Sequence, residues 1–429
     1  MGYLFNQTVP AAYRNEMELL LLCAGPRPDA KAIEQIKSIS KKDLNWEYLV
    51  NTAVFHKLHL LLHENLQIAC PEVFKNQHLQ KLIFEYKSNA ARSLLFSKRL
   101  LAILNLLAQH HIQAVPFKGP VLAEKVYGDA SLRQSVDLDI LVDKQDAFTA
   151  MSLLGEQGFL PEIDLDQKQF SAYAAKKNSI AMFHQSSVLA VDLHWEMSAN
   201  YASEPLVLNH IKNDLVQVTF AGETVLQPCK ELLLIYLCLH GTRDCWKDLE
   251  SLCSIAALIQ SHDDWDWKQI IKRADRMHCR RMLLLTFGLV IDLFDVKLPQ
   301  TILTFAENDP AVSKLANTVC KTLFNPGRLN SATETKSKFS MFHWRVRDAW
   351  FEKLRYMRHL IFGTTVQEWR YFPMPGKLSF LHGLLRPLRL SMAFFLWMVK
   401  GKGEEQVCAL TAYKETGVRC QVSGTRKKE

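Results

Sequence analysis

The ten cysteines form no Cys-x2-Cys pair and follow no regular spacing, which excludes zinc ribbons and disulfide-framed scaffolds and leaves reduced, mostly buried thiols as the expectation. A run long enough to cross a bilayer is missing too. The longest charge-free stretch near the C-terminus, LSMAFFLWMV from Leu390 to Val399, has 10 residues, against about 20 for a membrane helix. The opening MGYLFNQTVPAAYRNEMELLLLCAG lacks a basic stretch ahead of a long apolar core, and position 6 is Asn, so neither a secretory leader nor myristoylation is expected. There is no internal repeat, no low-complexity tract, no helix-turn-helix and no RNA-binding motif. The expectation is a cytoplasmic protein that reads no specific DNA.

What is present is an ordinary globular composition. At 429 residues, 48% hydrophobic and 22% charged, the chain suffices for two or three packed domains. Its formal charge of +8 is uneven. Between Lys336 and Lys402 stand 13 Lys/Arg against 3 Asp/Glu, a local +10 that exceeds the total and leaves −2 for the remainder. Aromatics interleave these cations in FHWRVRDAWFEKLRYMRHLIF. Such a helix suits three roles: contact with a nucleic-acid backbone, peripheral contact with an anionic membrane with LRLSMAFFLWMVKGK as apolar anchor, or an aromatic stripe packed into the protein's own core.

Periodicity divides the chain. From Tyr13 to His110 apolar residues recur at three and four positions, the helical pattern. From Ile112 to Phe220 short β-rich runs appear (IQAVPF, SVDLDILV, SIAMFH, VLAVDLHW, LVQVTF), with helical PVLAEKVYG and QDAFTAMSLLGEQG between the early ones. Beyond Pro228 helices return in CKELLLIYLCLHG, WKDLESLCSIAALIQ, WKQIIKRADRMH and RRMLLLTFGLVIDLF, and NPGRLNSATETKSK reads as a polar linker. The expected class is α+β, a small mixed sheet flanked by helical N- and C-terminal regions. Its boundaries are a helical region 1–111, an α/β core 112–227, a helical domain 228–325, a basic aromatic segment 326–402 and a tail 403–429 expected to be disordered.

The chemistry lies in the α/β core. Asp137 and Asp139 interrupt the apolar run VDLDILV. In a strand they share one face while Val136, Leu138 and Ile140 enter the core. Carboxylates in such surroundings need compensation, and Mg²⁺ (or Mn²⁺) with substrate phosphates supplies it. Asp192, in VLAVDLHWEM, adds a third carboxylate. Three carboxylates on adjacent strands suit phosphoryl transfer at two divalent ions. Upstream, IQAVPF ends at Lys118-Gly119-Pro120, where a helix begins. Gly119 permits close backbone approach and Pro120 suits the first helical position, so a phosphate fits that helix N-terminus beside Lys118. Arg133 is either a clamp on phosphate or carboxylate, or a partner in a surface salt bridge.

These residues, in the stretch KGPVLAEKVYGDASLRQSVDLDILV, resemble the DNA polymerase β-type nucleotidyltransferase superfamily. Within it they look most like the bacterial branch of uncharacterised nucleotidyltransferases, whose pattern is Lys-Gly, Leu, Tyr-Gly, Arg, then Asp-x-Asp-x-x-Val. They are also similar to abortive-infection toxin nucleotidyltransferases, which read Lys-Gly-Gly before an Arg and the Asp-x-Asp. Downstream, VDLHWEM and LCLHGTRDCWKDLESLCSIAALI resemble the branch's Asp-Leu-His-Trp and its later His-Gly, Trp and Leu. The likeness covers Phe117 to Ile259, and LLRPLRL is similar to a terminal feature of the branch.

The resemblance implies that Asp137, Asp139 and Asp192 form the catalytic, metal-binding triad, that Lys118 and Gly119 make the nucleotide-phosphate turn, and that Arg133 precedes the triad. His194, Trp195 and His240 match pattern positions without an assigned role. The implied activity is transfer of a nucleoside monophosphate from an NTP to an acceptor hydroxyl, whether of a sugar, a glycan precursor linked to surface-polysaccharide assembly, a protein or an RNA. A nucleotide-binding scaffold or sensor, and a toxin-like modifier of tRNA or protein, are the alternatives. Three departures stand out. Gly-Pro replaces the superfamily's Gly-Gly or Gly-Ser, and proline has no N–H to offer a phosphate. The interval from Gly119 to Asp137 is 18 residues. Ser254 stands where the branch often has Asp, so the acid of that position is expected to be absent.

Overall fold

The computed structural model describes residues 2–198, 204–325 and 336–371, together with 374, 378, 381–388 and 391. Its centre is a five-stranded sheet of β1 (Ala114–Pro116), β2 (Leu138–Val142), β3 (Phe159–Pro161), β4 (Ser179–His184) and β5 (Ala190–His194), in the order β1-β2-β5-β4-β3. β1 runs antiparallel to β2, β2 parallel to β5, and β4 antiparallel to β5. The sheet is therefore mixed, as expected. All five residues of β2 are buried, so the strand is covered on both faces. A separate hairpin pairs β6 (Leu215–Phe220) with β7 (Glu223–Pro228) across the two-residue turn Ala221-Gly222, at φ +48° and +85°. Two positive φ values suit a hairpin's right-handed twist.

Several local expectations need correction. The strand begins at Leu138, so Asp137 lies in a bend ahead of it, and Val136 is exposed rather than in the core. Strand alternation does not extend to Val136 because the ladder of β2 begins at Leu138. LVQVTF is a strand of the hairpin, outside the main sheet, and β3, only three residues long and ending in proline, and β7 are strands that the sequence reading does not mark. FHWRVRDAWFEKLRYMRHLIF is two helices, Lys336–Arg345 and Trp350–Phe362. LNWEYLVNTAVFHKLHLLLHENL likewise splits into Trp46–Phe55 and His59–Ala69, with Lys57 at φ +58° between them. Most of the linker NPGRLNSATETKSK, nearly all of LSMAFFLWMV and the tail 403–429 lie outside the described residues.

Helices embed the sheet. Gly119–Tyr127 connects β1 to β2, and Ala147–Glu156 follows β2. The 30-residue helix Gln80–Gln109 buries Leu82, Asn89, Ser93, Phe96, Ser97, Leu100, Ile103 and Leu107 along one stripe. Asn89 donates from Nδ2 to the Ser131 carbonyl at 2.8 Å, which ties the loop ahead of Asp137 to this helix. One apolar core joins the N-terminal helices to Lys230–Arg243, Glu250–Gln260, Trp267–Arg276 and Arg280–Phe294. All eight described cysteines are free thiols, six of them buried. No described helix is long and apolar enough to cross a membrane.

The chain falls into two compact units, Met1–Leu160 with Asn178–Leu354, and Pro161–Lys177 with Arg355–Glu429. In the second, Asp166 caps the helix Gln167–Ala174 in a reciprocal box with Gln169, and Tyr173 packs edge-on to Trp369 at 5.3 Å. The five-stranded sheet and the helices Lys230–Arg243 and Glu250–Gln260 belong to the first unit, apart from Pro161 at the end of β3.

Candidate active site

Register brings the acids together. In the parallel pair β2/β5, Asp139 stands directly opposite Asp192, and His194, two residues further along β5, shares the face of Asp192. His194 Nε2 lies 3.2 Å from Asp139 Oδ1 and 3.1 Å from Asp192 Oδ2. One ligand atom from each of the three falls within 4.8 Å of the others. The edge of Phe117 packs on the His194 ring at 5.0 Å and 78° and fixes its plane. Burial by itself would lower the His194 pKa, yet Asp192 and Asp139 raise it to about 9. Burial would likewise raise both carboxylates. Lys118 and His194 instead hold Asp139 well below the usual carboxylate range, and His194 lowers Asp192.

The turn after β1 aims Lys118 at this cluster. Gly119 adopts φ +60°, a left-handed conformation that favours glycine, and a Cβ there would stand 3.5 Å from the Asp137 carbonyl. Lys118 Nζ lies 3.5 Å from Asp139 Oδ1, 3.3 Å from His240 Nε2, and over the rings of Tyr236 and Phe117 at 5.3 and 5.9 Å. It is not a solvated strand-end lysine. Despite burial, Asp139 raises its pKa, so the ammonium stays charged inside a cage of carboxylate and π faces. Burial, Lys118 and Arg243 together push His240 well below the usual histidine value. His240 is thus a neutral acceptor, with Arg243 Nη2 at 3.0 Å from its Nδ1.

His240 is held by the next few residues. Cys245 and Trp246 both adopt φ +52°, folding the indole back onto the end of the Lys230–Arg243 helix. A Cβ on Gly241 would meet Trp246 ring atoms at 2.1, 2.3 and 2.6 Å. The His-Gly…Trp pattern is therefore one packing device. The same turn sets Asp244 Oδ2 3.8 Å from His240 Nε2 and 3.3 Å from Lys247. Trp195, also singled out by pattern, is buried at the end of β5 with its backbone N–H on the Asn178 carbonyl.

Asp137 and Arg133 take other positions. Asp137 is half-buried and outside the three-atom group, and burial together with Asp139 and Asp192 pushes its pKa up to about 7. The neighbouring Ser135 Oγ is buried without a hydrogen-bond partner among the described residues. Arg133 donates from Nε and Nη2 to both oxygens of Glu250, at 2.5 and 3.2 Å. Ser254 Oγ donates to Glu250 at 2.7 Å and meets the Tyr127 hydroxyl at 3.2 Å. The helix turn where Ser254 replaces an acid thus carries Glu250 one turn earlier. No sequence pattern marks Tyr236 or Asp244 as part of this cluster, and Glu250 is signalled only by its i, i+4 spacing from Ser254.

The donors fit a divalent cation. Octahedral ligands at about 2.1 Å from an ion lie about 3 Å from their neighbours, the spacing His194 Nε2 keeps from both carboxylates. The Lys118 ammonium on Asp139 shows that the cluster already attracts positive charge. A pocket of about 70 Å³ adjoins His240, lined also by Tyr236, Arg243, Met197, Met277 and Met282.

Residues 42–295 match the family model described as "Uncharacterised nucleotidyltransferase". No curated protein and no solved structure matches the chain.

Proposed function

The chain belongs to the uncharacterised nucleotidyltransferase family, and from that premise we propose that it transfers a nucleoside monophosphate from an NTP to an acceptor hydroxyl, releasing pyrophosphate. The observation that carries this reading is the cross-strand pair Asp139 and Asp192 with His194 between them. A divalent cation held there supplies Lewis-acid polarisation of the phosphate oxygens. Lys118 turns from Asp139 to a phosphate oxygen of the donor, and neutral His240 places no second positive charge beside its ammonium. Gly119 lets the backbone approach that phosphate. Pro120 contributes no N–H, so the side chain of Lys118 carries more of this contact than in a Gly-Gly turn. Arg133 stays with Glu250 and steadies the loop ahead of Asp137, whose carboxyl titrates beside the cluster.

The acceptor class includes sugars, glycan precursors of surface-polysaccharide assembly, proteins and RNA ends. The Gly-Pro turn favours one second reading, a nucleotide-binding scaffold or sensor with little turnover. We also propose peripheral contact with an anionic membrane, supported by exposed Trp350, Leu354, Met357 and Ile361 on the Trp350–Phe362 helix. Binding to anionic but not neutral vesicles tests it, and binding to neither refutes it.

Thermal unfolding with ATP, GTP, CTP or UTP, each with and without Mg²⁺ or Mn²⁺, tests the site. A nucleotide at 100 times its dissociation constant stabilises the fold by about 2.7 kcal/mol. The expected result is a metal-dependent shift for one nucleotide that Asp139→Asn/Asp192→Asn abolishes. A shift that survives in this variant overturns the assignment, and pyrophosphate release under the same conditions separates enzyme from sensor.

A further inference from the structure

We infer that His194 is itself a ligand of the divalent ion and makes the site a carboxylate–carboxylate–imidazole centre that binds first-row transition ions such as Mn²⁺ in preference to Mg²⁺. This rests on the reading above that a divalent ion binds between β2 and β5. All-oxygen sites suit Mg²⁺, whereas an imidazole donor shifts affinity along the series toward Mn²⁺ and the later first-row ions. The sequence pattern pointed to three aspartates. The fold brings ligand atoms of Asp139, Asp192 and His194 within 4.8 Å of one another, with Asp137 close enough to feel both carboxylates.

Three observations place the ring at the ion. Its Nε2 keeps 3.2 and 3.1 Å from the two carboxylate oxygens, close to the roughly 3 Å edge of an octahedral shell. Phe117 packs edge-on against it, so the nitrogen cannot swing away without disturbing a buried contact. The side chain is 5% exposed, and Nδ1 has no hydrogen-bond partner among the described residues. The ring's polar contacts are therefore all at Nε2, and coordination there would leave the Nδ1 N–H without an acceptor among the described residues. Coordination would use the Nε2 lone pair of the neutral ring, so the bond to the ion would replace the present contacts of Nε2 with Asp139 and Asp192.

The test uses the full chain loaded with Mn²⁺ alone. Electron spin-echo envelope modulation of the bound ion reads a directly coordinated ¹⁴N. The expected result is imidazole coupling in the wild type and in His240→Gln, and its loss in His194→Gln. Calorimetric titration should show His194→Gln losing at least about tenfold in Mn²⁺ affinity, the size of effect that perturbing a metal site's ligand shell produces, with a smaller change for Mg²⁺. His194→Asp should move the preference back toward Mg²⁺. Mn²⁺ bound without nitrogen coupling in the wild type refutes the inference while leaving metal-dependent transfer intact. Coupling that disappears in His240→Gln instead also refutes it. Failure of Mn²⁺ to bind, with or without each NTP, overturns both this inference and the reading beneath it. The wild-type spectrum decides even where a variant fails to fold.

Discussion

Replacing Glu250 with Leu strands the Arg133 guanidinium in the interior. Arg133 makes both of its arms' hydrogen bonds to this carboxylate, and Glu250 is 5% exposed. A guanidinium cannot lose its proton in a protein, so the expected loss is about 3–5 kcal/mol, the cost of breaking a buried pair from one side. Arg133→Met is expected to be milder, about 1–3 kcal/mol, because Glu250 keeps the Ser254 hydroxyl at 2.7 Å and is able to take up a proton. In the double variant Arg133→Met/Glu250→Leu neither charge remains, and Ser254 still has the Tyr127 hydroxyl. Its stability is expected within about 1 kcal/mol of wild type, since apolar replacements of buried pairs are often neutral or better. Urea unfolding followed by tryptophan fluorescence measures all three. A double variant as unstable as the sum of the singles refutes the argument, because it would show that each side chain contributes through its own packing and not through the pair.

Gly241→Ala drives a methyl into the Trp246 indole at 2.1 Å and should cost about 1–3 kcal/mol as overpacking; Trp246→Leu in the same chain should recover part of that loss, and unchanged unfolding in Gly241→Ala alone would contradict the packing device. Lys118→Met should abolish the nucleotide-dependent thermal shift while strengthening Mn²⁺ binding in the absence of nucleotide, and weaker Mn²⁺ binding would show that Lys118 does not compete for Asp139. Burial and nearby Lys81 lower the His59 pKa to about 4 in the fold, below the roughly 6.5 of an unfolded histidine. The unfolded chain binds the extra proton, so stability is lost progressively as pH falls from about 6.5 to about 4, with a loss of about 2 kcal/mol at pH 5 relative to pH 7 and above. Denaturation of wild type and His59→Asn at pH 7 and pH 5 checks it, and identical pH dependence in both would exclude His59 as the cause.

The sequence by itself determined the local elements of this protein and the composition of its site. Period-two runs marked β2 and β5, period-three-and-four runs marked the helices, and the Lys118-Gly119 turn was readable because a strand end, a glycine and a helix start follow one another along the chain. Aspartates in an apolar run signalled a compensated cluster without saying what compensates it. Tertiary structure decided that. His194 meets Asp139 across 55 residues, Arg133 meets Glu250 across 117, and Lys118 meets His240 across 122. Which partner each charge finds depends on strand register and on how helices pack against the sheet, and neither leaves a periodic trace in the sequence. Asp137 shows the difference most directly. Its spacing from Asp139 matched a strand, but the ladder begins one residue later at Leu138, and the position opposite Asp139 belongs to Asp192, with His194 beside it, because a parallel register pairs residues that no local rule connects.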